Sequence, residues 1–175
     1  MTLEEGLALY PAAYEFIRDV MELRIERMPR LLLSLEMPNV KIREYPEGLK
    51  EGRSIGGYLG GGDIWVRGGK QEHVCLLILV HELAHAWQTE NCPYQSDGLT
   101  EGFARWLEYK CAIYLNYTAY AERIRNDLCP VYGGGLRKCL MWEGAVGPSQ
   151  LLEDVRMYRD FPDWILRGWH RQMAA

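Results

Sequence analysis

The sequence predicts an α+β fold, mainly helical, with a small sheet of two or three strands. Two observations predict it. Apolar residues recur at helical spacing before residue 33 and again after residue 71. Between them, residues 40–69 carry short alternating runs broken by glycines, as short strands and turns do. The 175 residues suffice for one domain with its own core, so a single domain over 1–175 is expected.

The first helix is expected from about Leu7 to Leu33, with Leu7, Tyr10, Tyr14, Ile17, Met21, Leu23, Ile25 and Met28 as its apolar positions. Pro29 bends or breaks it and Pro38 ends the segment. Val40, Ile42 and Tyr45 suggest a short strand. In DIWVRGG, Ile64 and Val66 face one way and Trp65 the other, the period of a second strand. The glycines at 56, 57, 60, 61, 62, 68 and 69 suit turns. No GK[ST] follows them, and the next helix opens with Gln71 and Glu72, so a phosphate loop is excluded. Helix returns from about Gln71 to Glu90. After the loop NCPYQSDG, a long helix is expected from Leu99 to Asn126, interrupted by Cys129-Pro130. Gly133 to Gly135 allow a turn before the short helix LRKCLMWEG. Gly147-Pro148-Ser149 opens LLEDVRMYR, and the tail FPDWILRGWHRQ is aromatic and basic.

Composition excludes several classes. A hydrophobic share of 48% with 25% charged residues is ordinary for a soluble globular chain. Net charge is −4 with both signs mixed, so bulk charge offers nothing to nucleic acid or a membrane surface. The N-terminal MTLEEGLALYPAAYEF is acidic before its apolar residues, unlike a signal peptide. The apolar run ending at His81 is too short for a bilayer, which needs about 20 residues. A soluble, cytoplasmic chain is expected. The five cysteines, 75, 92, 111, 129 and 139, are odd in number and form no CxxC, so reduced thiols are expected.

Residues 76–88, LLILVHELAHAWQ, drive five aliphatic residues into two histidines and a glutamate. His81-Glu82-Leu83-Ala84-His85 is HExxH. On a helix, residues four apart share a face, so both imidazoles reach one ion. Zn²⁺ suits neutral imidazole, and a catalytic site takes three protein ligands. Glu82 projects beside the metal, where it can accept a proton from water and later deliver it to a leaving amine. Two exposed histidines on a helix would be the alternative. However, Leu76 to Val80, Leu83, Ala84, Ala86 and Trp87 make this helix apolar nearly all round, which implies burial. Buried imidazoles and a carboxylate need compensation, and a divalent cation gives it.

No further histidine follows until His170. Glu101 is the first candidate for the third ligand, 16 residues after His85 in LTEGFARWLEY. The intervening loop lets the chain reverse, so that two antiparallel helices would bring Glu101, in the first turn, to the metal. Gly102 would permit close approach of the helices. Glu90, Asp97 and Glu108 stand behind it. Glu108 can also orient a ligand histidine, but a surface charge is the favoured reading. Glu101 itself suits a helix N-terminus electrostatically, without any metal.

HELAHAWQ, then LTEGFARWLEY, then DLCPVYGGGLRKCL together resemble the peptidase domain of the LIM-domain, ubiquitin-activated metallopeptidases that limit plant organ size, and their stand-alone prokaryotic relatives. The segment Asp127, Pro130, Val131, Tyr132, Gly133, Gly135, Leu136 and Arg137 matches that family's D-x-x-P-[IV]-Y-G-x-G-[FL]-R. RMPRLLL resembles its amphipathic helix before Pro-Leu-Leu-Leu, and DIWVRGG its strand before the active-site helix. The resemblance implies a gluzincin-like fold, His81, His85 and Glu101 on zinc, Glu82 as general base, and peptide-bond hydrolysis. Thr100 stands where the plant proteins carry a second Glu, and no LIM or ubiquitin-interacting module accompanies the domain. A ubiquitin-like or other protein activator therefore stays open.

A peptidase also needs a donor for the tetrahedral oxyanion. Tyr132, in its glycine-rich turn, either supplies that hydroxyl or packs in the core. Arg137 either binds a substrate carbonyl or carboxylate, or pairs with a nearby acid. His170 reads as a surface histidine. The expected activity is zinc-dependent peptide hydrolysis of a polypeptide substrate, without nucleic-acid or membrane partners. A catalytically silent, zinc-stabilised protein-binding module is the first alternative, opposed by the intact Glu82. A DNA-associated zinc protease is the second, opposed by the absence of a basic cluster.

Overall fold

The computed structural model describes residues 3–34, 56–59, 62–67 and 69–173. It is mainly helical, with one three-stranded sheet. The chain forms two compact units, Met1–Glu90 and Asn91–Ala175. No helix among the described residues is long and apolar enough to cross a membrane.

In the first unit, α1 spans Leu3–Glu15 and passes into a π-helical turn over Phe16–Val20. The Met21 N–H reaches back to the Phe16 carbonyl at 3.1 Å, which closes the wider turn and buries Phe16 and Ile17. The helix expected to reach Leu33 stops here. Glu22 adopts φ 56°, a left-handed conformation through which a right-handed helix does not run. After Pro29 the leucine run is β1, Arg30–Ser34. It pairs in parallel with β3, Asp63–Arg67, from Arg30 opposite Asp63 to Ser34 opposite Arg67. The Arg30 guanidinium grips the Asp63 carboxylate through two hydrogen bonds, 2.8 and 3.0 Å, at the first step of that register. Strand pairing overrides the helical preference of leucine.

Strand β2, Gly56–Tyr58, lies antiparallel on the other edge of β3, giving the order β1-β3-β2. Gly56 and Gly57 are therefore strand residues and not the turn expected for them. Gly62 and Gly69, at φ 87° and 78°, do take turn conformations that favour glycine. Ile64, Trp65 and Val66 are all fully buried, so the expected two-faced alternation is absent. As the central strand, β3 is covered on both faces. The strand expected around Val40–Tyr45 lies outside the described residues. Helix α2 runs over Glu72–Asn91, close to its expected bounds. Near its end, the Glu90 carboxylate accepts the backbone N–H groups of Glu26 and Arg27 at 2.8 and 2.9 Å.

The second unit is helical. Ser96 caps α3, Asp97–Tyr114, with its hydroxyl oxygen accepting the Leu99 N–H. Two residues earlier than expected, the helix starts; it also ends early. Asn116 at φ 60° turns the chain, and α4 follows over Thr118–Arg125, so the single long helix to Asn126 is two. Asparagine tolerates that left-handed position better than most residues. Helix α5 spans Tyr132–Val146 and takes Gly133, Gly134 and Gly135 into its first turns, where a turn outside the helix was expected. Helix α6, Pro148–Val155, opens on Pro148, and α7 spans Asp163–Met173.

Those glycines are explained by packing. A Cβ on Gly135 would lie 2.6 Å from Gly102 Cα and 2.6 Å from the Gly98 carbonyl oxygen. A Cβ on Gly133 would lie 1.9 Å from the Asp127 carbonyl oxygen. So α3 and α5 cross backbone against backbone, and Gly102 is needed against α5. A second clamp joins the same helices further along. Glu143 accepts from Trp106 Nε1 at 2.8 Å and from Lys110 Nζ at 2.7 Å.

All five cysteines are free thiols. Burial pushes the thiols of Cys92 and Cys111 up to about 12, with the Glu108 carboxylate adding to the effect at Cys111. Burial also raises Cys75 and Cys139. At pH 8 a thiol with a pKa near 12 is about one part in ten thousand thiolate. Brief iodoacetamide treatment of the native chain at pH 8 should therefore leave Cys75, Cys92, Cys111 and Cys139 unlabelled by mass spectrometry, and unfolding in urea should expose them. Separately, Gly135→Ala should cost about 3 kcal/mol of stability in urea unfolding, because only backbone surrounds the added methyl.

Candidate metal centre

Every residue of α2 from Cys75 to Gln88 is buried except His85, which is half-buried. The helix has no solvent face over this stretch, as its all-round apolar sequence implies. Within it, His81 is 8% exposed and Glu82 6%. Two of the three polar groups of HExxH are thus withdrawn from bulk water.

The two imidazoles converge. Their Nε2 atoms lie 3.2 Å apart, with the rings nearly perpendicular at 83°. On the other side of His85, Nδ1 is 3.0 Å from Gln88 Oε1. The Gln88 carbonyl oxygen only accepts, so Nδ1 carries the proton and Nε2 presents a lone pair. A second-sphere acceptor behind a histidine fixes its tautomer in the same way at metal sites. Two bonds of about 2.0–2.1 Å to one zinc ion at a tetrahedral angle would put the nitrogens about 3.3 Å apart. The observed separation fits that ion.

Glu82 lies against strand β2. A Cβ on Gly56 would fall 3.0 Å from Glu82 Oε1 and 2.4 Å from Ile78 Cγ2. Only glycine lets the strand backbone pass this close to the carboxylate. Reading Gly56 as a turn residue missed this role, and nothing in the local spacing of GRSIGGYLGGG distinguishes it from its neighbours.

Of the residues in the second unit, Glu101 lies in the second turn of α3 and is half-buried. It is two residues further in than expected, which weakens its reading as a helix-dipole partner. Glu90 is engaged with backbone N–H groups, as described, and Asp97 opens α3.

Glu108 is 1% exposed, which corrects its reading as a surface charge. One oxygen accepts from Arg105 Nη1 at 2.6 Å and the other from the Tyr120 hydroxyl at 2.7 Å. A buried carboxylate is tolerated because both oxygens are met. Burial and then Glu108 push the Tyr120 phenol well above its ordinary range. Tyr132 is the first residue of α5, half-buried, with the Arg105 guanidinium 5.3 Å from its ring centroid. Arg137 donates from Nη1 to the carbonyls of Asp127, at 2.7 Å, and Arg125, at 3.1 Å. Its guanidinium also lies over the Trp169 ring at 5.4 Å. It braces the turn before α5 and pairs with carbonyls, where an acid was the expected partner. His170 is exposed on α7.

Neither a protein-family model, nor a curated protein, nor a solved structure matches the chain.

Gln88→Ala should free the His85 ring while leaving the candidate ligands His81, His85 and Glu101 in place, which tests whether this group holds zinc. Zinc affinity, measured by competition with a chromogenic chelator, should fall ten- to a hundredfold.

Proposed function

We propose that the chain is a zinc-dependent peptidase of the gluzincin type, cytoplasmic, acting on polypeptide substrates. The observation that carries this reading is the pair of convergent imidazole nitrogens, 3.2 Å apart, with Glu82 buried on the same helix beside them. A purely structural zinc site has no use for such a carboxylate and usually has four protein ligands. The resemblance of HELAHAW, LTEG and PVYGGGLR to the plant organ-size peptidases supports the same reading.

In this proposal His81, His85 and Glu101 hold the ion. When bound, Zn²⁺ would supply Lewis acidity, lowering the pKa of a water and polarising the scissile carbonyl. Gln88 keeps His85 in the tautomer that offers Nε2. Glu82 takes the proton from water as the nucleophile forms and delivers it to the departing amine nitrogen. Its burial strengthens this exchange, because few waters compete for the carboxylate. The Tyr132 hydroxyl donates to the oxygen on which negative charge develops. Arg137 stays with the turn it braces.

The test compares wild type with Glu82→Gln. Each is assayed for bound metal and for cleavage of itself and of a denatured protein mixture. We expect one zinc per chain in both, with fragments from wild type only and a loss of at least a hundredfold in the variant. Zinc in both without cleavage would leave a silent binding module or a chain awaiting an activator. No metal in either would overturn the assignment of residues 81, 85 and 101.

A further inference from the structure

We propose that Arg105 is a positioning residue that fixes the ring of Tyr132, and with it the phenol hydroxyl. The use made of that hydroxyl rests on the peptidase reading above; the hold on the ring does not.

The second unit builds an anchorage around Arg105 from three segments. On α3, Glu108 lies one turn further on and accepts from Nη1 at 2.6 Å. From α4, the Tyr120 hydroxyl occupies the other Glu108 oxygen at 2.7 Å, so the carboxylate cannot swing away. From the turn before α5, Asp127 Oδ2 approaches Nη2 at 3.7 Å. Asp127 is itself fixed: its Oδ1 accepts the Cys129 N–H at 2.9 Å, and its carbonyl accepts from Arg137 at 2.7 Å. The guanidinium is thereby held in place, with its Cζ over the Tyr132 ring, 5.3 Å from the centroid.

Burial works against the Arg105 cation, yet the Glu108 carboxylate, with Tyr120 and Asp127, holds the guanidinium above its ordinary range. An apolar cluster of similar volume would stabilise the unit at least as well as this ion pair. What the ions add is direction. Arg105 Nε is buried and makes no hydrogen bond among the described residues, so the orientation is kept at the expense of one donor. The opening of α5 needs such help. Val131 provides no side-chain cap, and Tyr132 is followed by three glycines with no side chains to pack around the ring. A fixed cation over a phenol ring supplies attraction and restricts where the ring can sit.

The test uses Arg105→Lys, which keeps the charge and loses the planar fork, alongside Tyr132→Phe and the double variant. The full chain is labelled with 3-fluorotyrosine, and Tyr132→Phe assigns the Tyr132 ¹⁹F resonance. In Arg105→Lys that resonance should move towards the free-tyrosine position and sharpen, while Tyr94 and Tyr114 stay put. Peptide cleavage should lose about tenfold in kcat with KM unchanged, and the double variant should be no slower than Tyr132→Phe alone. If Arg105→Lys does not fold, Glu108→Gln releases the guanidinium from its strongest partner and should move the same resonance. An unmoved resonance in the folded variants would overturn the inference, and so would kcat losses that multiply. A moved resonance in a chain that cleaves nothing would uphold the hold of Arg105 on Tyr132 and overturn the peptidase reading alone.

Discussion

Everything at the candidate centre depends on one constraint: polar side chains on a helix with no wet face must be satisfied inside the protein. Over Cys75–Gln88 the helix is closed to solvent. An unpaired imidazole or carboxylate there would cost several kcal/mol. The arrangement meets this with convergence. The two ring nitrogens turn towards each other, Gln88 takes the outer nitrogen of His85, and a bare glycine on the sheet edge makes room for Glu82. With one ring donating and the other accepting, the pair satisfies itself through a single hydrogen bond at 3.2 Å. The same 3.2 Å separation serves a hydrogen bond between the two rings or, in the proposal above, a shared cation.

The second unit meets a comparable constraint by other means. Its two principal helices touch through backbone, at Gly102 and Gly135, so their spacing leaves no room for adjustment. Charged groups are then packed into what remains. Glu143 bridges Trp106 and Lys110, while Glu108 gathers Arg105 and Tyr120. Glu108 is buried and Glu143 half-buried, and each has both oxygens occupied. Ion pairs of this kind add little net stability over apolar packing, but they resist sliding, because each bond has a direction.

The helical parts of the fold were legible where a pattern is long and local. The HExxH helix shows this: its bounds, its burial and the shared face of His81 and His85 all follow from residue spacing. The leucine run after Pro29 was misread because three consecutive leucines fit helix and strand equally, and only pairing with Asp63–Arg67 decides. The break at Asn116 and the inclusion of Gly133–Gly135 in α5 were hidden as well. Asn116 carries a left-handed turn that apolar periodicity does not record, and Gly135 is set by its packing against Gly102, distant in the chain. The same holds for Glu108. An i,i+3 arginine makes it resemble an exposed helix pair, and only Tyr120, twelve residues on, reveals a buried one. Gly56 was beyond reach altogether, since a close approach leaves no trace in composition.

The backbone-to-backbone crossing of α3 and α5 shapes how this protein would answer a genetic screen. Any amino-acid replacement at Gly102 or Gly135 adds atoms where the nearest neighbours are main chain, so even alanine is a lesion. On the peptidase reading proposed above, a library scored by lost function would rank these positions beside Glu82, and together they would look like one extended active site. The two groups part company in soluble yield. Alleles at the glycines would vanish from the cell through misfolding, whereas alleles at the acid would accumulate as intact, silent protein. Counting abundance and activity side by side would therefore draw the boundary between scaffold and chemistry without any knowledge of the substrate.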